Sequence, residues 1–145
     1  MKRRVNKNRE FLKKSARDVN PRLVGQVFSK MLMKTINQRD GALGFAANQL
    51  SMRDSAFTAL IGGKWQFFAN PEIIEISKQT QEIEEGCLSI PNKEYKVNRH
   101  KWIKLKWLDT KGEHTALFDG MDAIVIQHEV DHLRGILIDD IGEQC

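Results

Sequence analysis

Disulfides are the first thing this sequence does without. Its two cysteines, Cys87 and Cys145, leave no framework of bridges across 145 residues, which points to a reducing cytoplasm and to a fold held by its core. No apolar run approaches the ~20 residues that span a bilayer, and the first stretch of chain is too charged for a secretory signal. Internal repeats, low-complexity segments and linkers are missing too, so residues 1–145 read as one domain with a single core. These absences exclude a secreted disulfide scaffold, a membrane protein and a repeat array.

Charge is present but uneven. The formal net charge is +4, yet residues 1–22 hold nine Lys/Arg against Glu10 and Asp18, so the rest of the chain is mildly acidic. A basic arm on an acidic body suits nucleic acid or another polyanion. The competing reading is a solvated terminus, flexible over residues 1–8.

Periodicity supplies the elements. Asn20-Pro21 makes a helix start, and Leu23, Val24, Val27, Phe28, Met31, Leu32 and Ile36 follow at helical spacing until Asp40-Gly41. Ala56 to Ile61 and Trp65 to Ala69 flank Gly62-Gly63 as a hairpin, and Ile73 to Ile76 forms a further strand after Pro71. Trp102 to Leu108 alternates, turns at Asp109 to Gly112 and returns through Thr115 to Phe118. A second helix starts at Asp119 and ends at Gly135, apolar on most faces and therefore destined for the core. Helix, strands, helix is an α+β order.

That second helix carries the chemistry. His128, Glu129 and His132 form H-E-x-x-H, a pattern expected by chance on the order of 0.01 times in a chain of this composition. Residues four apart share a helical face, so both imidazoles can reach one divalent cation while Glu129 addresses a water beside it. A catalytic site needs a third protein ligand and one open position. Cys87, in the turn-like segment EGCLSIP (84–91 with its preceding Glu), is the first candidate, and His100 and His114 are its rivals. Asp131 is either an acidic partner to the site or a surface charge. The small residues of GALGFAANQL, 41–50, allow close backbone approach, and the Gln49 amide can donate to a developing oxyanion. Two imidazoles and a thiolate suit iron, zinc, nickel or cobalt.

Three segments in this order, Ala42 to Gln49, Glu85-Gly86-Cys87-Leu88-Ser89 and Gln127 to Gly135, resemble the motifs of the peptide deformylase family. The resemblance covers about residues 9–139. It implies an α+β fold of antiparallel sheets around a central HExxH-bearing helix. It also implies a cytoplasmic, metal-dependent hydrolase that removes the N-formyl group from the initiator methionine of nascent polypeptides, releasing formate. On these positions Cys87, His128 and His132 hold one divalent ion, ferrous iron by family preference, with Zn2+, Ni2+ or Co2+ as alternatives. Glu129 activates the metal-bound water, while the Gln49 amide and the Leu88 backbone N–H serve the oxyanion. Leu43, Gly44, Ile83, Glu85, Gly86, Met121, Ile124 and Val125 contact an N-formylmethionyl peptide. The basic residues 1–22 would then meet ribosomal RNA near the emerging chain.

Three departures from the family pattern stand out. Ala42 replaces the first glycine of motif one, the N-terminal proline-containing segment is represented only by Asn8 to Leu12, and the sequence ends at Cys145 without a C-terminal helix. In the last respect it is similar to phage-encoded members acting in a bacterial cell. Two other readings compete: an HExxH peptidase, which ordinarily takes a carboxylate or His third ligand, and a small RNA-binding protein with a structural Cys/His metal.

Overall fold

Asn8 and Asn20 start the first helices by the same means. In the computed structural model, which describes residues 5–36 and 41–145, the Asn8 side chain accepts from Phe11 N to cap the single turn α1 (Arg9–Leu12). The Asn20 side chain accepts from Arg22 N, and Pro21 opens a 3-10 turn that continues into α2 (Val24–Ile36). Val24, Val27 and Met31 are buried, whereas Leu23 and Leu32 of the same apolar set stand exposed. Asp40, expected to end this helix, lies outside the described residues.

Eight strands follow among the described residues: β1 (Gly44–Ala46), β2 (Ala56–Ile61), β3 (Lys64–Ile76), β4 (Thr80–Cys87), β5 (Ile90–His100), β6 (Trp102–Asp109), β7 (Gly112–Asp119) and, near the end, β8 (Glu143–Gln144). They form an antiparallel five-stranded sheet in the order β1-β2-β3-β6-β7 and a three-stranded sheet in the order β4-β5-β8. The hairpin at Gly62-Gly63 is as expected: both glycines have positive φ, 58° and 80°, the pair a two-residue turn of this hand requires.

One expectation needs correction. The strands placed on either side of Pro71 are one strand, β3, because Pro71 falls in a bulge between Ala69 and Glu72 where no ladder N–H is needed. The EGCLSIP segment is an irregular turn, as its residues suggest, and not a strand centre. It is the tip of a long β4–β5 hairpin, paired regularly up to Gly86↔Glu94 and then shifted so that Cys87 pairs with Ile90 around Leu88-Ser89.

Helix α3 (Gly120–Leu133) starts with Asp119 at the cap position and ends before Gly135, whose φ of 75° closes the turn. It is central. On one side Ala123, Ile126, Val130 and Leu133 pack on Phe57, Phe68, Ile103 and Leu105 of the larger sheet. Phe57 and Phe68 stack at 4.6 Å with no exposure, so truncating either to Ala costs about 3–5 kcal/mol. The opposite face of that sheet is covered by α2, through Val24, Val27 and Met31 on Phe45, Phe67 and Ala69. The smaller sheet covers the remaining side of α3, where buried Gln127 accepts from His100 N and donates to His100 O, clamping helix to strand at 2.9 Å each way. A last turn, α4 (Ile138–Ile141), and β8 complete that sheet.

The N-terminal residues are tied down rather than loose from residue 5 onward. Asn6 N donates to Gln49 O, and Ala16 N donates to Leu133 O at the end of α3. Arg9 pairs with Asp139 and Asp140, and Lys13 with Asp140. Two of the basic residues are thus committed to acids of α4, while Lys2, Arg3 and Arg4 lie outside the described residues. No helix among the described residues is long and apolar enough to cross a membrane.

Candidate active site

One turn of α3 separates His128 from His132 and sets their rings 5.0 Å apart. The register shift after Gly86 brings Cys87 against them, with Sγ 3.3 Å from His132 Nε2. One donor atom from each of Cys87, His128 and His132 lies within 4.8 Å of the others, the one such group of three among the described residues. The rival ligands are elsewhere. His100 Nδ1 meets Ser77 O at 2.9 Å, and His114 bonds Asp109 and stacks on Trp107.

The donor set fits a divalent cation on chemical grounds. Burial and the charge on His128 keep the His132 imidazole neutral, well below the usual histidine range. Burial also opposes a charge on His128, but bonding to Cys87 and Glu85 outweighs it and carries that ring up to about 10. Two imidazoles and one thiol within reach of one another form a mixed N/S donor set of the kind that suits a thiolate-tolerant metal ion.

Behind His128 runs a chain of buried charge. His128 Nδ1 lies 2.8 Å from Glu85 Oε1, and Arg99 grips both Glu85 oxygens, Nε to Oε2 at 2.7 Å and Nη2 to Oε1 at 2.8 Å. Arg99 Nη1 reaches Asp131 at 2.5 Å. Asp131 is therefore a partner to the site and not a free surface charge. Burial works against the Glu85 carboxylate, yet Arg99 and His128 hold it down at about 2. A carboxylate on the outer nitrogen of a ligating imidazole sets its tautomer and ring angle. The reading of the residues missed Arg99. The signal was there, because Tyr95, Val97 and Arg99 alternate along β5, and that period places Arg99 on the buried side with the other two. Replacing Arg99 by Met strands the buried Glu85 charge and leaves half-buried Asp131 unpaired, so we expect a loss of about 3–5 kcal/mol in urea unfolding. An unchanged midpoint would show the network to be slack.

Glu129 is 3% exposed and its Oε1 has no hydrogen-bond partner among the described residues. Burial pushes its carboxyl up to about 7, an effect the charges of His128 and Arg99 only partly offset. Gly44 makes room for it: a Cβ there would lie 2.5 Å from Glu129 Oε2, so the small-residue run admits the helix carboxylate. Asn48 Nδ2 donates to His132 O at 2.7 Å, fastening the run to α3. Gln49 Nε2 lies 3.6 Å from Cys87 Sγ.

These groups open onto a cavity of about 850 Å³. Leu43, Gly44, Gln49, Ile83, Glu85, Gly86, Cys87, Leu88, Met121, Ile124, Val125, His128 and Glu129 all line it, as does Ala42. His132 is the exception among the expected site residues, buried to 1% exposure. Glu85 reaches the cavity wall, but its carboxylate is taken up by Arg99 and His128. The wall also includes Ile90 to Glu94 at the start of β5, which the motifs did not single out. Strands β1 and β4, each at an edge of its sheet, flank the opening.

Comparison with known proteins agrees with this geometry. The family profile for polypeptide deformylase matches residues 1–144. The peptide deformylase of Thermotoga petrophila is 40% identical over 110 residues, which are 75% of this chain and 66% of that protein, so the match spans just under two thirds of the length of that relative. The crystal structure of peptide deformylase from Thermotoga maritima superposes with a TM-score of 0.84 at 34% identity over 97% of each chain. A probable peptide deformylase from Synechococcus phage S-SSM7 gives 0.81 at 26% identity, over 95% of this chain and 97% of its own.

Proposed function

The chain belongs to the peptide deformylase family, and from that premise we propose that it removes the N-formyl group from the initiator methionine of nascent polypeptides, releasing formate. The observation that carries this is the convergence of Cys87, His128, His132 and a Glu129 oxygen without a partner among the described residues, beside a largely apolar cavity. Cys87, His128 and His132 would hold one divalent ion, ferrous iron in our reading, which supplies when bound a Lewis acid for the formyl carbonyl and for the attacking water. A thiolate ligand donates charge and leaves that water less acidic, which makes a separate base necessary. Glu129 Oε1 takes the water proton and returns it to the departing amine.

The remaining residues bind and orient. The Gln49 amide and the Leu88 backbone N–H donate to the carbonyl oxygen as it gains charge. Gly44, Ile83, Met121, Ile124 and Val125 take the methionine side chain. The backbone edges of β1 and β4 accept an extended peptide between them, with Leu43, Glu85 and Gly86 contributing main chain.

Formate release from a formyl-Met peptide, set against amino-acid release from its unformylated twin, tests the reading. Formate alone is expected, whereas amino-acid release alone would assign the site to a peptidase. Gln49→Ala is expected to lower turnover about 10²–10³-fold with the ion retained; a change within a few-fold would remove Gln49 from the mechanism.

The basic arm bears on partners. Besides the two that pair with α4, residues 1–22 hold Lys2, Arg3, Arg4, Lys7, Lys14, Arg17 and Arg22, and ribosomal RNA is the polyanion nearest an emerging formylated chain. Reversing Lys2, Arg3 and Arg4 to Glu is expected to weaken ribosome co-sedimentation at low salt, with peptide hydrolysis unchanged. Equal co-sedimentation would assign these residues to solvation alone.

A further inference from the structure

Residues 5–8 take no part in the reaction proposed above, yet Asn6 joins the 3-10 turn that carries Gln49 to the β4–β5 tip beside Cys87. The Asn6 N–H donates to the Gln49 carbonyl at 2.7 Å, and the Asn6 carbonyl accepts from Ser89 Oγ at 2.7 Å. A serine hydroxyl has one proton, and this bond uses it. What Ser89 presents to Gln49 is therefore a lone pair, which accepts from Gln49 Nε2 at 3.3 Å. The other end of the amide is also held, since Gln49 Oε1 accepts from Ala46 N at 3.0 Å.

Turning the amide over would set its NH2 against the Ala46 N–H, donor facing donor. It would also set its oxygen against a hydroxyl whose proton already belongs to Asn6. Gln49 thus has one orientation, with its donor end toward Cys87 Sγ at 3.6 Å. Ser89 and Gln49 are 6% and 3% exposed, so water does not supply substitutes for these bonds. Asn6 is fastened in turn, its Nδ2 donating to Ser51 Oγ and its Oδ1 accepting from Asn8 N.

We propose that Ser89, with its hydroxyl aligned by the Asn6 carbonyl, is a positioning residue for the Gln49 amide, which makes the N-terminal segment part of the hydrolytic site. This rests on the reading of Gln49 as the donor to the formyl oxygen. A donor that strengthens its bond in the transition state loses value quickly when its direction is free, so the effect falls on kcat and leaves KM nearly alone.

The test is a double-mutant cycle on the metal-loaded enzyme. Ser89→Ala lowers kcat for a formyl-Met peptide about tenfold, less than Gln49→Ala does, with KM and ion content near wild type. In a Gln49→Ala background the same substitution changes kcat by about twofold at most, because there is no amide left to orient. Asn6→Pro removes the N–H that pairs with the Gln49 carbonyl. It shows the same pattern, a kcat loss in the wild type and none in Gln49→Ala, and it decides the matter if Ser89→Ala does not fold. Full activity in Ser89→Ala, or an equal loss with and without Gln49, overturns the proposal, since a purely structural Ser89 shows no coupling to Gln49. Failure of the wild-type protein to release formate would instead overturn the deformylase reading.

Discussion

Glu129→Gln keeps its divalent ion and loses at least about 10²–10⁴-fold in turnover of a formyl-Met peptide. The substitution preserves size, so the space left by Gly44 still accommodates the side chain. Neither His128 nor His132 loses a ligand nitrogen, and metal analysis should return wild-type content. What disappears is an oxygen able to take and return a proton. Glu129 Oε1 is suited to that task because it is buried without a partner among the described residues and burial lifts its carboxyl to about 7, where it can both accept and donate at neutral pH. The Michaelis constant should move much less, since the lost interaction belongs mainly to the transition state. A variant that retains its ion and turns over within a few-fold of wild type would show that Glu129 is not the proton carrier.

The local chemistry of this fold was readable where one residue type has one use. Gly62-Gly63 announced a hairpin because two consecutive positive φ values suit little else, and the H-E-x-x-H spacing announced that the two imidazoles share a helical face, because residues four apart lie one turn from each other. Long-range pairing was less readable. Strands β4 and β5 alternate weakly, with Gln81, Glu82, Glu84, Lys93, Glu94 and Lys96 masking a thin line of inward residues, so the hairpin beneath the EGCLS segment was not foreseen. Arg99 stayed hidden for the same reason: a charged residue in a charged strand reads as solvated until Glu85 and Asp131 are seen to enclose it. Pro71 misled in the opposite direction, since a proline ends a strand in general but is tolerated at a bulge. Asn6 carried no motif at all. Its role comes from backbone groups, which a sequence does not display.

Cys87→Ala is expected to reduce the protein from one ion per chain to a small fraction of that, and to abolish turnover with it. Two imidazoles remain after the substitution, but an imidazole binds a metal in its neutral form, and Cys87 is the one donor of the group that can bind as an anion. Glu85 does not replace it, because both of its oxygens are engaged by Arg99 and His128 on the far side of the ring. Nor does Glu129 complete the set without giving up the proton transfer assigned to it. Loss of the ligand should also be visible in stability. An ion that binds only the folded chain adds about 2.7 kcal/mol at a hundredfold excess over its dissociation constant. Chelation should therefore lower the unfolding midpoint of the wild-type protein and leave that of Cys87→Ala unmoved. Anaerobic purification followed by elemental analysis and a thermal scan with and without chelator measures both effects. If Cys87→Ala retains one ion per chain and full turnover, the third ligand is another residue, and the placement of Sγ beside His132 is only packing.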